Sequence, residues 1–199
     1  MNIIKNKYHH GNLRDEILKA AYNFVSENGY TSMSLRCIAE NCDVSATAIY
    51  RHYKTKEHLL ADVVVKGFIE FNIFVEGDLE ANIFDKCDNY LEFAFDNKNI
   101  YDLLFSQSVV EFLQFPNILE VADSSFQTLL ESVKEHDRSL NDLSASNKAI
   151  HIWSFLHGIS SISKKMDVAL SLPDSEMPIP VRSVKRARGN LRQFIEDLF

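Results

Sequence analysis

In the stretch Ser45-Ala-Thr-Ala-Ile-Tyr-Arg-His52, five hydrogen-bonding side chains, Ser45, Thr47, Tyr50, Arg51 and His52, are interleaved with two alanines and one isoleucine. On a helix, Ile49 anchors the stretch from beneath, leaving Ala46, Thr47, Ala48, Tyr50, Arg51 and His52 pointing largely outward. That is an odd set for a helix meant only for packing. Small residues at the front of a helix permit close approach to base edges. Thr47 can donate or accept there, and methyl groups of Thr47 or the alanines can touch thymine methyls. Tyr50, Arg51 and His52 are donors suited to phosphates or bases. Lys56 opens the next helical stretch, where a cation opposes the macrodipole unless the helix end faces a phosphate. The same holds for Ser34 at the preceding helix start. With Ser45, these are the candidate DNA-contacting residues, and their chemistry is recognition of a polyanion.

Bond-making chemistry finds no comparable support. The sequence has no G-x-S-x-G, H-E-x-x-H, phosphate-binding loop or dinucleotide fingerprint. His9-His10 lack a Cys, Asp or Glu partner at ligand spacing, so neither a metal nor another cofactor is expected. Cys37, Cys42 and Cys87 have no C-x-x-C spacing and read as free, buried thiols.

The elements that must position the candidate residues are helical. Ser34 to Tyr53 has the geometry of a helix-turn-helix: Ile38 faces the core, Ala39 lets the two helices approach, Asp43 falls in the turn and Val44 plugs the corner. Ahead of it, apolar residues from Leu13 to Val25 recur at spacings of three and four. Asn12 caps that helix, Asp15 and Glu16 sit in its first turn, and Gly29 ends it through a left-handed residue. Thr55 caps a long helix reaching about Glu76. Beyond Gly77, helices are expected near 78–97, 99–113, 117–136, 144–168 and 181–199, about nine in all. Strand signals are scarce, and Leu172 to Pro180, with three of the four prolines, reads as a connection. The expectation is an all-α chain. An N-terminal three-helix domain, residues 1–57, is joined by the long helix to a C-terminal helical bundle, residues 58–199.

Charge follows the same division. The net charge of −7 conceals a balance of +2 over residues 1–60, −12 over 61–181 and +3 over 182–199. A basic head on an acidic body implies that any polyanion is met by the first 60 residues. Lys5, Lys7, His9 and His10 read either as an arm along the DNA or as a solvated terminus. No apolar run approaches the roughly 18 to 20 residues of a membrane helix, and the first residues do not form a secretory signal. A cytoplasmic protein without a membrane partner is expected.

Tyr8-His-His-Gly-Asn-Leu-Arg14, Gly29-Tyr30, Ser34-Leu-Arg36, Ile38-Ala39, Val44-Ser45, Ile49-Tyr-Arg-His-Tyr53 and Lys56-Glu57 with Leu59-Leu60 together resemble the TetR/AcrR type of bacterial regulator. The resemblance covers about residues 8–60. In the body, Asn99-Ile-Tyr-Asp-Leu-Leu-Phe105 and Trp153-Ser-Phe-Leu-His-Gly158 are similar to a TetR subgroup named for its Trp-His-Gly signature. The resemblance implies an N-terminal DNA-binding domain with Ser45 to His52 as recognition helix and Lys56 on a phosphate. It also implies a homodimer formed by the last two long helices, and a small-molecule effector bound in the C-terminal domain that alters affinity for a double-stranded DNA operator. Asp43 replaces a common Gly in the turn and tolerates left-handed φ. Cys37 stands where a Glu often completes a capping box with Ser34.

Phe71, Phe105, Phe112, Phe126, Trp153 and His157 are candidates for the lining of a pocket for an apolar or aromatic effector, with ordinary bundle core as the alternative. Trp153, Gly158, Leu191, Phe194, Ile195 and Leu198 are candidates for the dimer interface. Val181 and Val184 add apolar contacts, and Arg182, Lys185, Arg186, Arg188 and Arg192 are read as pairing with the partner's acidic body. The function so reached is a ligand-responsive repressor, not an enzyme. Its rival is a protein of the same fold controlled by a protein partner.

Overall fold

Ile17, Ala21 and Val25, spaced by four residues, are fully buried, and the first helix forms around that stripe. The same logic runs through the chain. The computed structural model describes residues 13–106 and 115–199, and every regular element among them is helical. In order these are α1 Leu13–Asn28, α2 Leu35–Asn41, α3 Ala46–His52, α4 Lys56–Glu76, α5 Ile83–Asp96 and α6 Lys98–Leu104. There follow α7 Pro116–His136, α8 Asp142–Lys165, α9 Asp167–Leu170, α10 Ile179–Gly189 and α11 Leu191–Glu196. Asn12 lies outside the described residues.

The described residues form two compact units, the first from 13–67 with 99–106 and 115–118, the second from 68–98 with 119–199. In the first, α2 packs on both α1 and α3. Its core includes Ile17, Val25, Ile38, Ile49, Leu59 and Val63, none of them accessible to solvent. Short α6 belongs to this unit as well. Gly67 explains how: a Cβ there would lie 3.0 Å from Leu104 Cδ2 and 3.2 Å from Ile100 Cγ2, so α6 rests directly on the backbone of α4. Asn99 Nδ2 donates to the Ser26 carbonyl at 2.8 Å, tying α6 to the end of α1. Gly29, at φ +77°, ends α1 in the left-handed conformation anticipated from the sequence.

In the second unit, α5 packs on α8 and α11, and α10 packs on α8. Phe71 meets Tyr90 and Phe93 edge-on, with ring centroids 5.3 and 5.1 Å apart. Cys87 is buried, and burial pushes its thiol up to about 12, whereas Cys37 and Cys42 are only half-buried.

Four of the expected helices have different boundaries. The helix expected from 78 begins at Ile83, because Asn82 and Asp85 form a capping box: Asn82 Oδ1 accepts from the amides of Phe84 and Asp85, and Asp85 accepts from the Asn82 amide. Asn141 caps α8 at Asp142, and its far end stops at Met166 before the single turn of α9. The final helix starts at Ile179, with Pro180 in its first turn, and breaks at Asn190 into α10 and α11. α6 ends at Leu104, and 107–114 lie outside the described residues. The described residues therefore hold eleven helices against about nine expected.

Asp43 is the one non-glycine with positive φ among the described residues, at +52°. An alanine there would pay the left-handed penalty of about 1 kcal/mol. Asp43→Ala is expected to lower the unfolding free energy by about that amount, and Asp43→Gly to change it by less than about half as much. Urea denaturation measures both. Equal stability of Asp43→Ala and the parent would mean that the turn relaxes out of this conformation.

Candidate nucleic-acid interface

The seven residues of α3 are too few to be stable alone, so their neighbours hold them. Ser45 caps the start, its Oγ accepting from the Ala48 amide at 3.2 Å. Ile49 is completely buried and pins the middle. Tyr53, 2% exposed, closes the end. Against this support Ala46, Thr47, Tyr50, Arg51 and His52 are exposed and Ala48 is half-buried. Tyr50, at 54% exposure, is a large aromatic side chain left in solvent.

The preceding turn follows the motif. Ser34 Oγ accepts from the Cys37 amide at 3.2 Å, a one-way cap, since Cys37 cannot return a side-chain acceptor. Ala39 is buried at the crossing of α2 and α3, and its carbonyl accepts from the Val44 amide at 3.0 Å. Lys56 is half-buried, and its Nζ donates to the Thr31 carbonyl at 3.1 Å. A lysine has three donors. This bond therefore ties the α1–α2 connection to the start of α4 and leaves donors for a phosphate. Lys5, Lys7, His9 and His10 lie outside the described residues.

Two features escaped the sequence reading. Arg36 on α2 is exposed, and its partner Glu40 at 3.5 Å is exposed too, a pair worth little in water. Its place in Ser34-Leu-Arg36 was the available signal. The second is a junction of three helices. Arg14 Nη2 and the Tyr53 hydroxyl both donate to Asp62 Oδ2, at 2.9 and 2.8 Å. Arg14 Nε donates to the Tyr53 oxygen at 3.4 Å. Burial pushes the Tyr53 phenol up to about 12, which keeps it a proton donor. Hydrogen bonds to Tyr53 and Asp62 hold Arg14 in its charged form. Residues 39 and 48 apart in sequence give no local pattern to read.

The body residues fare differently. Trp153 and His157 share a face of α8 with ring centroids 6.1 Å apart, and a Cβ added at Gly158 would meet nothing within 4 Å. Phe126, Trp153 and His157 are half-buried in the second unit, and Phe71 is locked in its aromatic core. Phe105 belongs to the first unit, 4.7 Å from Tyr101, and Phe112 lies outside the described residues.

Two of the expected dimer contacts are buried within the single chain. Leu191 and Ile195, 4% and 0% exposed, belong to the core of their own chain, as do Val181 and Val184. The reason is that the apolar stripe of α10 and α11 faces α8 and α5. Phe194 is exposed at its rim and stacks on Phe155, with centroids 5.6 Å apart, while Leu198 is half-buried. Three of the five basic residues are likewise engaged within the chain. Lys185 pairs with Asp174 at 2.7 Å, and Arg188 and Arg192 lie 3.9 and 4.4 Å over the rings of Phe95 and Phe84.

Residues 17–63 match the model of the bacterial regulatory proteins of the tetR family, and 83–176 match that of the tetracyclin repressor-like C-terminal domain. Together they cover well over half of the chain. The HTH-type transcriptional repressor KstR of Rhodococcus jostii (strain RHA1) is 34% identical over 55 residues, 28% of this chain and 26% of that protein. The match thus spans about a quarter of that relative's length. In three dimensions the chain is similar to a protein of unknown function from Rhodococcus sp. RHA1, with TM-score 0.68 and 20% identity over 93% of this chain and 96% of that one. It is also similar to BioQ, crystallised with its natural double-stranded DNA operator, with TM-score 0.57 and 13% identity over 88% and 96%. At these identities the likeness is one of fold.

Burial holds His157 below its ordinary value of 6.5. The fold therefore favours the neutral ring: its contribution is present above that value and lost as pH falls through the lower folded one. Replacing it by a non-titrating ring, His157→Phe, is expected to flatten the loss of thermal stability on acidification from about pH 7 to 5. Parallel melting curves with equal acid slopes for parent and variant would exclude this contribution.

Proposed function

The chain belongs to the TetR family of bacterial regulatory proteins, and from that premise we propose that it is a sequence-specific DNA-binding transcriptional repressor. It acts as a homodimer on a palindromic operator and is released by a small apolar or aromatic effector. The observation that carries this reading is α3: capped at Ser45, pinned by Ile49, and presenting Thr47, Tyr50, Arg51 and His52 to solvent. A seven-residue helix that buries one side chain and exposes hydrogen-bonding groups around it suits insertion into a major groove. Ser34, Ser45 and Lys56 stand at helix starts, where phosphates are favoured.

Functionally, residues 1–57 carry the DNA contacts and residues 58–199 the control. One recognition helix reads few base pairs, so two symmetric copies are required for useful specificity. With Leu191 and Ile195 committed to their own chain, the second copy is assigned to the outward face of α8. Ile150 and Ile162 are 39% and 42% exposed there, Gly158 opens on free space, and Phe194 joins from α11. Trp153 and His157 stand on the same helix, and the Trp-His-Gly subgroup resemblance forms part of this proposal. BioQ, a fold relative, was crystallised on its operator, which supports a DNA partner here. Effector binding favours a body conformation in which the two α3 helices no longer match successive grooves.

Selection from a random duplex library supplies an operator, and equilibrium titration then tests the docking. Arg51→Ala and Tyr50→Ala are each expected to weaken operator binding by about 10-fold or more, from roughly 1–3 kcal/mol per base contact, with the fold retained. Wild-type affinity in both variants would rule out this docking. Lys56→Ala is expected to weaken all sequences alike and to reduce the salt slope by about one phosphate. An unchanged slope would remove Lys56 from the phosphate contacts.

A further inference from the structure

At the C-terminal end of α3 three helices converge on one carboxylate oxygen. Asp62 Oδ2, on α4, accepts from the Tyr53 hydroxyl at 2.8 Å and from Arg14 Nη2, on α1, at 2.9 Å. The Arg14 guanidinium also stands 5.4 Å from the centre of the Tyr53 ring. The parts of this junction are unequal. Arg14 and Asp62 keep 62% and 30% of their side-chain surfaces in solvent, so their ion pair alone contributes little. Tyr53 is 2% exposed, and its hydroxyl bonds both partners.

The need for such a junction follows from the anchoring of α3. Among its own seven residues only Ile49 is buried. One apolar contact fixes where a short helix sits, but it leaves the helix able to tilt and roll about that point. A second point, four residues on, removes this freedom, and Tyr53 is placed there by the hydrogen bond its backbone N–H donates to the Ile49 carbonyl at 2.9 Å. Because hydrogen bonds are directional and apolar contacts are not, the hydroxyl supplies an orientation that the ring cannot.

We propose that Arg14, Tyr53 and Asp62 are positioning residues for recognition: they set the angle at which α3 presents its outward side chains, and so govern sequence discrimination more than attachment to DNA. The inference rests on the DNA-binding reading above. Base-edge contacts require side chains held to about half an ångström, whereas attachment through phosphates is sequence-independent and set mainly by charge. A loosened α3 therefore loses the first and keeps the second. Asp62 also lies on the helix that continues past Gly67 into the second unit, so the junction fixes α3 on the element leading there.

The test is Tyr53→Phe, which keeps the buried ring and deletes the hydroxyl. Affinity is measured for a duplex selected by the parent protein and for a scrambled duplex of equal length, across a salt series and beside a melting curve. Selected-duplex affinity is expected to fall about 5- to 10-fold, the equivalent of one net hydrogen bond. Scrambled-duplex affinity and salt slope are expected to stay within about twofold. Asp62→Ala is expected to match Tyr53→Phe, and the double variant to be no weaker than Asp62→Ala alone. Asp62→Asn, which keeps an acceptor oxygen, is expected to recover most of the loss. A selected-to-scrambled ratio unchanged in Tyr53→Phe would overturn the proposal. So would a parallel loss on both duplexes that tracks the melting temperature, since that is what a purely structural role produces. A parent protein that enriches no duplex sinks the DNA reading instead. Amide exchange in the free protein then decides the positioning itself: faster exchange in α3 of Tyr53→Phe, with α1 unchanged, supports it, and identical protection overturns it.

Discussion

A helix of seven residues cannot hold its own shape in water, because closing the first turn costs more order than its few hydrogen bonds return. Everything in the first unit answers to that constraint. Ser45 satisfies an amide that α3 leaves open, Ile49 takes it to the core, and Tyr53 ends it on a buried ring and a directed hydroxyl. The cost of ordering α3 is met by the neighbours α1, α2 and α4, which frees its own outward surface from any role in folding. Exposed Tyr50 is the visible result. A ring of that size left in solvent contributes little to the fold, so the fold does not dictate its identity.

Lys56 and Arg14 illustrate how cations in this unit serve the fold. Lys56 closes the α1–α2 connection through the Thr31 carbonyl, and Arg14 bridges α1 to α4 through Asp62. Neither is a bare surface charge. A basic head thus draws part of its charge from residues with structural partners, leaving Arg51, exposed on α3, and Arg36, exposed on α2, as its freer guanidinium groups.

The last two helices carry the opposite lesson. Their five basic residues suggest an exposed strip awaiting a partner, yet the guanidinium groups of Arg188 and Arg192 lie over Phe95 and Phe84 within the same chain. Cationic side chains cover apolar surface as readily as they reach for a carboxylate. The apolar stripe beside them, Val181, Val184, Leu191 and Ile195, is accordingly buried in its own bundle. The outward face of α8 remains, with Gly158 open on free space.

Helical class, the order of the elements, and the roles of Ile38, Ala39, Asp43 and Ile49 were determined by the sequence alone. Each is local: a period of three and four, a cap within three residues, or a left-handed turn position leaves its mark within one or two helical turns. Boundaries at Asn82, Met166 and Asn190 were less legible, because caps and breaks there compete closely with continued helix. Which face of α10 and α11 turns inward, which residues of the body meet, and the convergence of Arg14, Tyr53 and Asp62 were decided only by tertiary structure. An amphipathic stripe states that something apolar will cover it, not whether that cover belongs to its own chain or another. Nor does any local pattern tell a carboxylate on α4 that its donors lie 9 and 48 residues away.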